Sequence, residues 1–136
     1  MQKIVLALLC CLAFSKHGIT QHLPMADTIV YTKVSVEASF PGGDEAWREY
    51  LMKNLKANVP VKKKAPAGIY RVVVKFIVSK DGTLTGIEAE TAHGYGMEEE
   101  VIRIIKKGPN WTPALIDKKP VNAYRRQPVT FAVEEK

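Results

Sequence analysis

Apolar and polar positions alternate most clearly over 69–92. Val72, Val74 and Phe76 recur at every second position with Val73 and Lys75 between them, the period of a half-buried strand. A second run follows, with Ile87, Ala89 and Thr91 on one side and Glu88 and Glu90 on the other. Lys80-Asp81-Gly82-Thr83 joins the two, and Asp-Gly between alternating runs predicts a hairpin whose turn is type I′, with Asp81 and Gly82 both at positive φ. That register sets Phe76 against Ile87, Val74 against Ala89 and Val72 against Thr91, while Lys75 meets Glu88 on the other face. A three-residue loop would slip the pairing by one and set Glu88 against Val74, so the two-residue loop is expected.

The flanking segments read as cover for the apolar face. Over 28–40 the chain alternates again, with Val30, Val34, Val36, Ala38 and Phe40 on one side, which predicts a strand or extended arm. Pro41-Gly42-Gly43 breaks it and Asp44 is placed to cap a helix. Trp47, Tyr50, Leu51, Asn54 and Leu55 then share one face of that short amphipathic helix. A Pro- and Lys-rich connector spans 57–68. Beyond the hairpin, Gly94-Tyr95-Gly96 is a loop and 97–107 a second helix, with acid in its first turn, Lys106 and Lys107 in its last, and an apolar stripe of Met97, Val101, Ile104 and Ile105. Gly108-Pro109 stops it, 111–114 forms a loop that buries Trp111, and a final strand runs over 121–133. The order strand, strand, helix, strand predicts an α+β fold: a small antiparallel three-stranded sheet (ββαβ) packed against helices, with an N-terminal arm and short helix. The final strand lies beside the first hairpin strand, so the sheet order is 84–92, 69–79, 121–133, and Pro128 falls on an edge strand, where proline belongs.

The first twenty residues have a different character. Lys3 precedes the apolar run 4–14, with small residues suited to cleavage near 13–15 or 18–20, the pattern of a secretory signal. The run is too short to span a bilayer comfortably, so an exported soluble domain is expected, with an uncleaved inner-membrane anchor as the alternative. Cys10 and Cys11 both lie in this run, which leaves the mature chain without a disulfide or a Cys-ligated metal.

Charge and candidate chemistry narrow the picture by exclusion. The net charge of +6 is spread along the chain, and its one cluster, Lys62-Lys63-Lys64, has no interleaved aromatic residue, which argues against nucleic acid. His17, His22 and His93 have no ligand spacing, and His93 reads as a turn residue. Glu98-Glu99-Glu100 is better explained as the acidic first turn of a helix than as a carboxylate pair or metal cluster. Trp47 and Trp111 read as core or lid residues. No catalytic residue, cofactor site, metal site or small-molecule substrate is expected.

Several short motifs, taken in order, carry a resemblance. Phe40-Pro41-Gly42-Gly43 is followed by the helix ending Lys53-Asn54-Leu55, the strand from Val72 into Lys80-Asp81-Gly82, and the helix at 99–107. Pro109-Asn110-Trp111-Thr112-Pro113-Ala114, Lys119-Pro120-Val121 and Gln127-Pro128-Val129-Thr130-Phe131 complete the series. Together they resemble the C-terminal domain of TonB in the form common among energy transducers of the Bacteroidota. Val59-Pro60 stands where that family usually has Tyr-Pro. The long Pro-rich spacer of a full transducer has no counterpart, since 21–40 reaches at most about 70 Å fully extended. On this resemblance the chain divides into a signal peptide (1–20), an arm with a short helix (21–60) and a TonB C-terminal-like domain (61–136).

The resemblance implies a periplasmic interaction module. Its partner would be an outer-membrane TonB-dependent receptor, or another envelope protein, whose extended segment adds to the sheet. The expected peptide-binding edge is Val121, Asn122, Ala123, Tyr124, Arg125, Arg126 and Gln127, with pairing ending at Pro128. The opposite edge, 84–92, carries Glu88 and Glu90. Arg125 and Arg126 read equally well as binding residues or as charges that protect an edge. A stand-alone envelope adaptor or ligand-binding domain is the alternative function, and a homodimer through the sheet edges stays open.

Overall fold

A computed structural model of the protein describes residues 29–136; the expected signal segment and the lead up to residue 28 lie outside the described residues. The extended arm 29–42 leads into α1 (Gly43–Asn54), and α2 (Val59–Lys62) follows. The strands β1 (Gly68–Val78) and β2 (Leu84–Ala89) precede α3 (Met97–Lys107). The chain closes with β3 (Ala114–Ile116), β4 (Lys119–Val121) and β5 (Ala123–Val133). The main sheet has the order β2-β1-β5 and is antiparallel throughout, as the apolar pattern predicts.

The period-2 pattern of β1 sends Val72, Val74, Phe76 and Val78 into the core, all fully buried. The apolar stripe of α3 meets this face, with Met97, Val101, Ile104 and Ile105 likewise inaccessible. An aromatic cluster ties the remaining pieces to it. Trp111 stands edge-on to Phe76 at 4.9 Å and to Phe40 at 5.9 Å, and Trp47 lies 5.4 Å from Phe40 and 5.6 Å from Trp111. Tyr50 stacks near Trp47 at 5.9 Å and its hydroxyl donates to the Ile104 carbonyl at 2.7 Å. Arm, α1, α3 and sheet therefore share one core. No helix among the described residues is long and apolar enough to cross a membrane.

The hairpin turn differs from the expected type I′. Ser79 accepts from Gly82 N–H at 2.8 Å and donates to Thr83 C=O at 2.9 Å, and only Gly82 is at positive φ (+87°). The loop is therefore three residues, a turn followed by a left-handed glycine. Asp81 Oδ1 accepts from Thr83 N–H at 3.0 Å. A tertiary contact accompanies this choice: Trp111 N–H donates to Gly82 C=O at 3.0 Å. The one-residue slip near the turn pairs Val78 with Leu84 and Ile77 with Thr85. A bulge then sets Gly86 (φ +60°) and Ile87 against Phe76, and Lys75/Glu88 and Val74/Ala89 pair in the expected register.

Other departures are local. Asp44 sits inside the first turn of α1 without capping it, and the turn is closed by Gly43 N–H to Phe40 C=O at 2.8 Å. The connector contains α2, begun by Val59 and the buried Pro60. The final strand is divided: Val121 belongs to β4, which pairs with β3 through Ala114, and Asn122 separates it from β5. The β3–β4 turn, Asp117-Lys118, has φ of 48° and 64°, so the two left-handed residues of a type I′ turn occur here and not at Asp81-Gly82. The arm is held by isolated bridges, Val36 to Leu115 and Ser39 to Thr112, and Val36 is exposed despite its place in the alternation.

Gly82 and Gly94 have similar φ (+87° and +80°), but a Cβ at Gly82 would lie 2.4 Å from the Trp111 carbonyl oxygen and one at Gly94 would meet nothing within 4 Å. Gly94→Ala should therefore cost only left-handed strain, about 1–2 kcal/mol, and Gly82→Ala about 3 kcal/mol or more, because the Trp111 loop must also move. Urea unfolding of both variants checks this; equal losses would show that Trp111 does not press on the turn.

Candidate peptide-docking edge

Antiparallel pairing makes the backbone groups of a strand point alternately to its two neighbours. Val73 turns its own groups toward β2, accepting from Glu90 N–H at 2.8 Å and donating to Thr91 Oγ1 at 3.2 Å. Val73 also faces Pro128 in the β1–β5 register, so that pair carries no ladder hydrogen bonds. The odd residues of β5 therefore bond to β1, and the even residues, 124 to 132, face outward. Pro128 is one of the even set, so its missing N–H falls on the outer edge and spares the ladder.

The seven residues of the expected edge are distributed unequally by this alternation. Val121 lies in β4, and Asn122 Oδ1 accepts from Lys80 N–H at 2.8 Å. Ala123 is fully buried and pairs with Val78, and Gln127 is buried opposite Val74. Tyr124 is half-buried, with Lys75 Nζ 5.2 Å from its ring centroid. Asn122 C=O and Tyr124 N–H are both occupied by Tyr31 of the arm, at 2.9 and 3.0 Å. The Tyr124 carbonyl and both backbone groups of Arg126 face outward and meet no backbone partner among the described residues.

The two arginines are adjacent in sequence but lie on opposite faces of the sheet. Arg126, on the open face, makes a two-pronged contact with Glu90, 2.8 and 3.0 Å from Nε to the two carboxylate oxygens. Arg125 lies half-buried on the helix side, where Nη2 donates to Gln127 Oε1 at 3.3 Å and the buried Nε has no partner among the described residues. It stands in a groove between α1 and β5, floored by Trp47, Leu51 and Leu55 and reaching Pro128 and Thr130 on the strand. The period of 2 in β5 already separates Arg125 from Arg126. The groove has no sequence signal, because it depends on how α1 crosses the strand.

The acidic turn of α3 has structural partners. Glu98 and Glu100 are both 6 % exposed and, two positions apart, leave the helix in different directions. Glu98 accepts from His93 N–H at 2.6 Å, Gly94 N–H at 3.1 Å and Thr91 Oγ1 at 3.2 Å, and so closes the 91–94 loop. His93 Nε2 lies 2.9 Å from Arg71 O, which makes the residue part of that closure. Glu100 accepts from Lys56 N–H at 2.8 Å and from Arg103 Nη2 and Nε at 2.6 and 2.9 Å, and Arg103 Nη2 also donates to Asn54 C=O at 2.9 Å. Burial opposes ionisation of Glu100. The hydrogen bonds from Arg103 and Lys56, with their positive charges, outweigh it and hold the carboxyl below the ordinary glutamate range. Among the described residues no group of three or more His, Cys, Asp and Glu could hold a metal ion.

The family model described as Gram-negative bacterial TonB protein C-terminal matches residues 70–133. No curated protein and no solved structure matches the chain.

Because the folded pKa of Glu100 is depressed, its contribution to stability is complete above the unfolded pKa and is lost as pH falls through the folded one. Glu100→Gln should destabilise the protein by about 1–3 kcal/mol near neutrality. The difference from wild type should shrink as pH falls from the unfolded pKa of Glu100 to its lower folded one, beginning while the native carboxylate is still ionised. Urea unfolding across the acid range checks both points; a gap that stays constant with pH would contradict them.

Proposed function

We propose, for a chain that belongs through residues 70–133 to the TonB C-terminal family and so carries a protein-interaction domain of envelope transport, that it works in the periplasm by taking an extended segment of an outer-membrane receptor, or of another envelope protein, onto the outer edge of β5. The observation that carries this reading is the outward row at the Tyr124 carbonyl and the Arg126 N–H and C=O. A strand edge of that kind pairs with any extended chain through its backbone, and flanking pockets choose among side chains. Residues of such a segment that point to the helix side would enter the groove over Trp47, Leu51 and Leu55, beside the Arg125 guanidinium. Arg125 favours an acidic side chain there. Arg126, already paired with Glu90, serves through its backbone.

The other edge is a poorer platform. β2 has only six residues, its ladder is interrupted by the bulge at Gly86, and it presents the exposed Glu88; bulges and charges are devices that blunt an edge. On the outer edge of β5, Pro128 offers no donor, so pairing along 124–127 should end or bulge there.

The test is amide-shift mapping with peptides from the N-terminal plugs of outer-membrane receptors. Proline at Ala123 would break the inward ladder, whereas Arg126→Pro removes an N–H that faces outward. Arg126→Pro should weaken the peptide about tenfold, the equivalent of one hydrogen bond, with unfolding unchanged beyond the loss of the Glu90 pair that Arg126→Ala also shows. Shifts confined to Leu84–Ala89, or unaltered binding in folded Arg126→Pro protein, would refute the proposal.

A further inference from the structure

The arm approaches β5 in an unusual way. Its later part is fixed to β3 and the Trp111 loop by antiparallel bridges at Val36 and Ser39, and it ends in the buried Ala38 and Phe40. Its earlier part meets β5 at a single residue and in the parallel sense: Tyr31 pairs with Ala123, its N–H donates to Asn122 C=O, and its C=O accepts from Tyr124 N–H. Those are the first outward groups of the edge. Between the two anchors the arm bows away, so that Thr32 and Glu37 face Tyr124, Arg125 and Arg126 across a cleft.

Tyr31 gains little from burial where it sits. Its side chain is 38 % exposed, and Ile29 and Val36 are half-exposed; Val34 packs partly buried against the core, but at Tyr31 the arm is held to β5 by its two backbone hydrogen bonds. A segment held in this way is readily exchanged for another extended chain that offers the same two groups.

We infer that the arm around Tyr31 is the resident occupant of the upper part of the β5 edge, and that a partner strand gains the full edge by exchanging with it. The inference rests on reading β5 as a docking edge and adds its regulation. With the arm seated, a partner has Tyr124 C=O and Arg126; with the arm displaced, it also has Asn122 C=O and Tyr124 N–H. The tether at Val36 keeps the arm at high effective concentration, so it competes with every incoming strand.

The test uses the arm's own sequence as probe, a synthetic peptide of residues 29–35, titrated to millimolar concentration into labelled full-chain protein. Tyr31→Pro removes the N–H that bonds Asn122, and Tyr31→Gly keeps it but weakens the extended conformation, so the same bridge is loosened without proline. The peptide should produce saturable shifts at Asn122, Tyr124 and Arg126 in Tyr31→Pro, smaller ones in Tyr31→Gly, and at least about tenfold weaker binding in wild type. Equal binding by all three, or no shift in folded variants, would overturn the inference. Because no receptor peptide takes part, this outcome is separate from the test of β5 as a receptor site: failure here with receptor peptides still binding would remove the arm's role alone.

Discussion

The constraint on which this structure depends is the double obligation of β5. As the last strand of a three-stranded sheet it must pair all its inward groups with β1 over eleven residues, from Val78/Ala123 to Gly68/Val133. Its outward groups are left to water, to the arm or to another chain. Pro128 is tolerated because it falls on the outward set. Reversing the parity by one residue would bury Arg126 and Thr130 and expose Gln127, Val129 and Phe131, so the apolar pattern that fixes the core also fixes which amides face out. The open outer edge of β5 is thus a by-product of core packing.

The rest of the fold holds that edge in place. The Phe40–Trp47–Trp111–Phe76 cluster joins the arm, α1 and the loop before β3 to the centre of β1. Phe40 and Trp47 lie outside the stretch that matches the family model, yet both belong to the same core. The Glu100–Arg103 pair reaches the end of α1 through Asn54 and Lys56, and Lys107 Nζ donates to Asn54 Oδ1 at 3.3 Å. Burial pushes the Tyr50 phenol pKa up against the opposing pull of Arg103, whose charge is part of the same junction. α1, locked to α3 at this end, thereby forms the wall of the groove beside β5.

Much of this is legible in the sequence because period 2 and period 3.6 are strong signals. The sheet order, the bounds of α3 and the burial of both tryptophans follow from pattern alone. The hairpin loop was not legible, because its three-residue form goes with a contact between Gly82 and the distant Trp111, and because a glycine bulge can absorb a slip that simple alternation would carry along the whole strand. β3 and β4 are three residues each, too short for periodicity, and their turn uses Asp117-Lys118 where glycine or asparagine would have announced it. The buried glutamates were hidden for a related reason: acid in a first helical turn reads as a solvated feature, and the partners of Glu100 include a backbone amide 44 positions away. Of the candidate site, the outward row could be placed once the register was known. Tyr31 could not, since alternation in an arm says nothing about the strand it joins.

The most direct measurement is residue-resolved hydrogen exchange along β5 in the full chain without ligand. The account predicts alternation, with the amides of Arg125, Gln127, Val129 and Phe131 protected through the β1 ladder and those of Arg126, Thr130 and Ala132 exchanging at rates near those of an open chain. Tyr124 should be the one protected even-numbered amide. Uniform protection of the even positions would mean that the outer edge of β5 is already covered, and would contradict the central claim.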